Sequence, residues 1–210
     1  MAGFGGLGFD EATRVGLGLM AAYHKYTTPP GDFEAVYSNE DGEQYDAWFQ
    51  SDQRAFHARL VHLLFSTRLF TSVLDVGCGK GAMTHHWAVP GRRLVAYDMA
   101  EAALVKARAF YPDIDFRQGD AFQAVASDDY DLIVCSQVLV LEPRWRELLA
   151  EVAKRGRFVL VNEWIPQPTH WHVPSIKELE AELRKSFDID TKIVLNDQRL
   201  ICLGKSRARI

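Results

Sequence analysis

From Ser72 onward the chain alternates short apolar runs with helical segments, and this rhythm restricts the fold more than any other feature. "SVLDV", "RLVAY", "IDFRQ", "DLIVC" and "RFVLVNE" have the length and content of strands covered on both faces. The segments between them carry helical periodicity and recognisable ends. Trp145, Leu148, Leu149 and Val152 fall at i, i+3, i+4 and i+7. Pro143 can open that helix, Lys154 and Arg155 suit its last turn, and Gly156 suits its stop. Ser175, with Glu178 three residues on, reads as a capping box ahead of Ile176, Leu179 and Leu183 on one face. Strand alternating with helix predicts a parallel sheet wound by right-handed crossovers. The end of the chain breaks the rhythm. "FDIDTKIVLN" and "QRLICLGKS" are joined by little more than "NDQ", too short for a helical crossover, so the sheet should finish in an antiparallel hairpin.

The first 70 residues have another texture. "MAGFGGLGF" is rich in glycine, but no strand precedes it and it holds no Gly-Lys pair, so it reads as an arm and not a phosphate loop. "EATRVGLGLMAAYHKY" is a weak helix, because Gly16 and Gly18 each cost about 1 kcal/mol relative to alanine. "TTPPGDFEAVYSNEDGE" is rich in turn residues, and Trp48, Phe49, Phe56, Leu60, Leu63 and Leu64 then recur at helical spacing. The expected architecture is α/β: a doubly wound, seven-stranded, mostly parallel sheet ending in an antiparallel hairpin. Residues 1–70 should form an N-terminal helical cap within the same domain as a core at 71–210.

The totals exclude several classes. A chain of 210 residues has one domain as its prior and can bury a core without staples. With 24 basic against 28 acidic residues the net charge is −4, which argues against a nucleic-acid groove. No apolar run reaches the length of a membrane span, and the N-terminus lacks a basic-then-apolar signal layout. Cys78, Cys135 and Cys202 are too few and too scattered for a disulfide framework or a zinc knuckle, which predicts reduced thiols in a cytoplasmic protein. Monomer and homodimer are both compatible with the sequence.

The turn after the first strand, "SVLDVGCGKGAMT", admits three cofactors. A P-loop needs glycine, four residues, then Gly-Lys-Ser/Thr; here Lys80 is followed by Gly81, and Leu74 stands where the first glycine belongs. The Gly77-x-Gly79-x-x-Ala82 spacing, with Asp98 about 20 residues on, fits a dinucleotide fingerprint. Against it, a pyrophosphate would be repelled by Asp75, and some 70 residues precede the unit. S-adenosylmethionine (SAM) makes the opposite demand. Its ammonium and sulfonium attract a carboxylate, its ribose needs an acid, and its adenine needs a flat slot.

"VLDVGCGKGAM" is similar to the first motif of class I SAM-dependent methyltransferases. "LVAYDMAEAALVKAR" resembles the second, "FRQGDAF" the third, "YDLIVCSQVLVLEP" the fourth-strand motif and "RGRFVLVNEWIP" the fifth strand. The resemblance covers residues 72–205 in order. It implies a cofactor site made by Asp75, Gly77, Cys78, Gly79 and Gly81 in the turn, and by Asp98 and Met99 after strand two. Asp120, Ala121 and Phe122 would lie beside the adenine, with Cys135 and Ser136 at the end of strand four. Residue chemistry leaves other roles open. Asp98 with Glu101, and Asp120 with Gln123, could each be a helix cap; Asp75 could accept turn N–H groups; Cys78 suits a small filler.

The implied activity is methyl transfer from SAM to an oxygen or nitrogen of a small molecule, leaving S-adenosylhomocysteine (SAH). The Asp/Asn-Pro-Pro-aromatic string of nucleobase enzymes is absent after strand four, where the chain reads "CSQVLVLEP". The histidine common in small-molecule members is absent too, with Leu141 near its place. "NEWIPQPTHWHVPS" resembles the substrate loop of the family, which makes His170 and His172, flanking Trp171, candidate catalytic residues; the resemblance adds Tyr45 in "EQYDAWFQ", because "YD" ahead of the first strand recurs in small-molecule relatives. Tyr23, His24, Tyr26 and Trp48 could wall the acceptor or pack the cap, and no metal site is expected. Alternatives are aminocarboxypropyl transfer or cyclisation of SAM, an RNA or protein methyltransferase, and a SAM-binding module without turnover.

Overall fold

The computed structural model describes residues 32–38 and 56–209. Seven strands form one sheet: β1 (Ser72–Val76), β2 (Arg93–Asp98), β3 (Asp115–Gln118), β4 (Tyr130–Ser136), β5 (Gly156–Trp164), β6 (Phe187–Leu195) and β7 (Arg199–Ser206). Their order is β3-β2-β1-β4-β5-β7-β6. β1 to β5 pair in parallel, whereas β7 pairs antiparallel with both β5 and β6. The expected hairpin is present, and its turn places Asn196 and Asp197 at φ +49° and +53°, the left-handed region that Asn and Asp tolerate best among side-chain-bearing residues.

Among the described residues six helices accompany the sheet: α1 (Phe33–Ser38), α2 (Phe56–Ser66), α3 (Glu101–Phe110), α4 (Ala121–Ala126), α5 (Trp145–Arg155) and α6 (Ile176–Ser186). Because strand side chains alternate, β4 and β5 feed two cores. Ile133, Cys135, Val159 and Val161 pack with Trp145, Leu148, Leu149 and Leu183 of α5 and α6. Leu132, Val134, Phe158 and Leu160 pack on the other face with Val61, Leu64, Leu104 and Ala107 of α2 and α3. Leu148, Leu149 and Val152, all buried on one stripe of α5, each contribute about 1.5–3 kcal/mol of hydrophobic burial.

Several local expectations are corrected. The helix expected after the glycine turn is only a 3-10 turn at Thr84–Trp87, since Pro90 and Gly91 (φ +82°) follow too soon for a longer helix. α5 starts at Trp145, two residues past Pro143, with Arg144 at its cap. Ser175 caps α6 by accepting from Glu178 N at 3.2 Å, but the Glu178 carboxylate takes Arg146 at 2.9 Å, so the box is half formed. On α2 the buried stripe is Val61, Leu64 and Phe65, while Leu63 is 60% exposed. Trp48 and Phe49 lie outside the described residues.

α1 seats on α3. The Glu34 carboxylate accepts from Ala102 N at 3.1 Å, Lys106 Nζ donates to Tyr37 O at 2.6 Å, and Tyr37 packs with Ala100 and Ala103. Among the described residues no helix is long and apolar enough to cross a membrane.

Candidate active site

β1 ends at Val76 and the backbone turns sharply, with Gly77 at φ +71° and Gly81 at φ +74°. A Cβ on Gly77 would sit 2.5 Å from Val138 Cγ2, and one on Gly81 2.7 Å from Phe116 Cζ, so both positions require glycine on conformational and steric grounds. The turn is pinned to the end of β2. Gly77 N and Cys78 N donate to Tyr97 O at 2.8 and 2.9 Å, and Gly79 N donates to Asp98 Oδ2 at 2.8 Å.

Asp98 Oδ1 also accepts from Ala100 N at 2.9 Å. Burial pushes the Asp98 carboxyl up, and these backbone N–H groups oppose the shift. A carboxylate offers about four acceptor sites, so these bonds leave room for a hydroxyl donor. Asp98 is not the cap of α3, whose N-cap is Ala100. Asp75 is buried and accepts from Thr84 Oγ1 at 2.6 Å. Burial raises its carboxyl to about 7; the Thr84 bond opposes that and nearby Asp98 adds to it. A cation brought beside it would restore the ionised form.

These groups open onto a cleft of about 490 Å³ at the carboxyl ends of the parallel strands, a size typical of small-molecule sites. Phe33, Tyr37, Trp87 and Trp164 supply aromatic wall, and Asp75, Asp98, Asp120 and Glu142 supply acid. Arg199 is the one cationic side chain among the described lining residues. Sheet register explains its place: Ser136 pairs with Asn162 and Trp164 with Arg199, all on the face that carries Asp75. Asn162 Nδ2 donates to Ser136 Oγ at 2.8 Å, and Arg199 Nη1 donates to Asn162 Oδ1 at 2.8 Å. Gln137, at φ +59°, donates from N and Nε2 to Asn162 O at 2.9 and 3.0 Å. Glu163 points to the opposite face. Its Oε1 accepts from Val138 N and Leu139 N at 3.1 and 3.0 Å, and burial raises its carboxyl to about 8.

Of the residues singled out in the sequence, Asp75, Gly77, Cys78, Asp98, Met99, Asp120, Ala121 and Ser136 line the cleft. Gly79 and Gly81 shape the turn behind it. Asp120 both lines the cleft and caps α4, with a complete capping box to Gln123. Cys135 does not reach the cleft, because strand alternation turns it into the α5–α6 core, where burial pushes its thiol well above the usual range. Phe122 lies under the Arg144 guanidinium at 4.1 Å and does not line the cleft. His170 and His172 are exposed and outside the lining, because Trp171 between them takes the buried position. Tyr23, His24, Tyr26 and Tyr45 lie outside the described residues. Among the described residues no group of three His, Cys, Asp or Glu side chains is arranged to hold a metal ion.

Sequence reasoning missed Asn162, Trp164 and Arg199. Their signals were present: a polar pair closing the otherwise apolar "RFVLVNE", and an arginine opening "RLICL".

The donor set fits SAM. Acids of the kind a ribose and a cationic methionine chain need line the cleft, and aromatic rings supply apolar wall. Residues 73–157 match the methyltransferase-domain family. The chain is 29% identical to nodulation protein S of Azorhizobium caulinodans over 106 residues, covering 48% of this chain and 51% of that protein. It is 26% identical to nodulation protein S of Sinorhizobium fredii over 176 residues, covering 77% and 78%. The crystal structure of N-methyltransferase NodS from Bradyrhizobium japonicum WM9 in complex with SAH has the same fold, with a TM-score of 0.67 at 18% identity over 83% of this chain and 98% of that one. The chain spans about half the length, or less, of several curated relatives that it matches. Residues 73–157 thus match a methyltransferase domain, and the strand order and cleft chemistry are those of the class I SAM-dependent methyltransferase fold.

Proposed function

We propose that the protein transfers the methyl group of SAM to an oxygen or nitrogen atom of a small molecule. The observation that carries this reading is a single cleft lined from Asp98 and Asp120, past the glycine turn, to Trp164 and Arg199. SAM, when bound, supplies a methyl group already activated by its sulfonium. Asp98 holds the ribose hydroxyls, Asp120 and Ala121 flank the adenine, and Asp75 faces the cationic methionine chain. The turn at Gly77, Cys78 and Gly79 lets the backbone come close.

The remaining task is alignment. Holding the acceptor in line, inside walls that exclude water, can lower the barrier by about 7–11 kcal/mol. Phe33, Tyr37, Trp87 and Trp164 form those walls. His170 and His172, facing solvent, are poorly placed as bases for an acceptor in this cleft; an acceptor that arrives deprotonated needs none. Residues 1–70 act in this reading as a cap on the 71–210 core, supported by α1, whose Phe33 and Tyr37 wall the cleft. Three buried free thiols support a reducing, cytoplasmic setting.

The test is product analysis after incubation with SAM and a panel of small phenols, amines and carboxylic acids. Release of SAH together with a methylated acceptor is expected. Methylthioadenosine would instead mean use of the aminocarboxypropyl chain, and SAM binding without turnover would mean a binding module.

A further inference from the structure

We propose that the acceptor carries an oxyanion, a carboxylate or a phosphate, that docks on Arg199 at the β5–β7 end of the cleft. This inference rests on the methyl-transfer reading and names the class of molecule it acts on. The anion is the anchor, and the atom that accepts the methyl lies on the side of the glycine turn.

Arg199 opens β7, directly across from Trp164 and on the face shared with Asn162 and Ser136. In the strand order β7 lies three strands from β1, about 14 Å at the usual inter-strand spacing. Asp75 and Asp98 stand on β1 and β2, so Arg199 lies beyond the half of the cleft that those acids serve.

The charge of Arg199 is left uncompensated. Arg199 is partly buried, and burial lowers its guanidinium to about 10, which still leaves it protonated at neutral pH. Among the described residues its one hydrogen bond is to the neutral Asn162 amide, and it forms no ion pair. Glu163, the nearest acid in sequence and a weak electrostatic partner, spends Oε1 on the Val138 and Leu139 N–H groups on the other face of the sheet. A desolvated cation without a counter-ion is costly, and the remaining donors of its planar fork match an oxyanion.

Charge is also unevenly distributed along the cleft. The other charged side chains of the described lining, Asp75, Asp98, Asp120 and Glu142, are all acidic. An anionic group is repelled along most of the cleft and attracted at one end, which orients the molecule that bears it. Trp164, edge-on to Trp171 with ring centroids 6.3 Å apart, offers an apolar surface beside the guanidinium for the body of that molecule.

The experiment uses calorimetry on the full chain saturated with SAH, titrated with benzoate and phenyl phosphate and, as neutral counterparts, benzamide and benzyl alcohol. The anions should bind at least about tenfold more tightly than their neutral counterparts, as expected of charge-assisted hydrogen bonds. Arg199→Gln should erase the preference while SAH affinity stays within about threefold of wild type. Should Arg199→Gln fail to fold, Asn162→Asp supplies the guanidinium with an internal anion at nearly constant shape and should erase the preference as well. Whichever anion binds more tightly identifies the oxyanion. Wild-type protein that binds SAH but takes neutral and anionic probes equally overturns the inference alone. So does a preference that survives both substitutions, or a tenfold loss of SAH affinity in Arg199→Gln, which would assign the arginine to the cofactor's own carboxylate. Wild-type protein that does not bind SAH overturns the methyl-transfer reading, and this inference with it.

Discussion

Asp98 and Arg199 stand at opposite ends of one cleft and are held in different ways. Asp98 is gripped by main chain: Gly79 N and Ala100 N reach its two oxygens at 2.8 and 2.9 Å, and the same turn is tied to Tyr97 O. Arg199 is steadied by a chain of side chains, through Asn162 to Ser136. A site built from backbone groups depends on where the chain turns and tolerates little change. A site built from side chains on three neighbouring strands can be altered one residue at a time without moving the sheet. The acidic end is thus the fixed half of the cleft and the β5–β7 end the adjustable half.

The largest expected effect comes from attacking the fixed half at its tightest point. Gly77→Ala places a Cβ against Val138 Cγ2 in a backbone region that L-residues avoid, and should cost about 2–5 kcal/mol of stability in urea denaturation. Adding Val138→Ala should recover the steric part and leave the conformational part. Asp98→Ala comes next, with SAM affinity falling by about 1.5–3 kcal/mol in calorimetry through lost charge-assisted hydrogen bonds. Unchanged affinity in a folded variant would remove Asp98 from the cofactor site.

The smallest effect is read through pH, at Asp75 in the cleft and at Glu163 on the opposite face of the sheet. Asp75 and Glu163 are held neutral in the fold, up to about 7 and about 8, whereas the unfolded chain ionises both near 4. Folded carboxyls that bind more protons than unfolded ones make stability fall as pH rises toward 8. Below about pH 6.5 half-buried His62, lowered to about 4, acts in the opposite sense, because the unfolded chain then takes up its proton. Between pH 6.5 and 8 the cofactor-free protein should lose at most about 1.4 kcal/mol per pH unit for each carboxyl. Asp75→Asn and Glu163→Gln should each flatten that slope by its own share in denaturation series across the window.

The fold was legible where physics is local. Five apolar runs, a helix stripe at Trp145, Leu148, Leu149 and Val152, and a connection too short for a crossover are each written within a dozen residues, and all appear in the sheet and its flanking helices. The missing helix after the glycine turn shows the limit. A turn pattern signals that the chain reverses, but Pro90 and Gly91 decide how much helix fits before the next strand. Acids next to a glycine motif stood out because Asp75 and Asp98 flank it in sequence as well as in space. Arg199 did not. It meets Asn162 only through the β5–β7 register, across 37 positions of chain, and no spacing rule connects the two. Cys135 illustrates the reverse error: adjacent in sequence to Ser136, it points to the other side of the sheet.

The reversed direction of β7 bears on how such a chain can be changed. Every parallel strand arrives at the cleft with its last residues, so its functional side chains sit next to long connections that must also carry the chain onward. β7 arrives with its first residue, immediately after the Asn196–Asp197 turn. A short, self-contained hairpin therefore delivers one side chain to the cleft. Exchanging residues 196–199 would alter the cleft's one described positive charge and its outlook while leaving both hydrophobic layers untouched, which makes this turn the natural place to graft a different molecular preference.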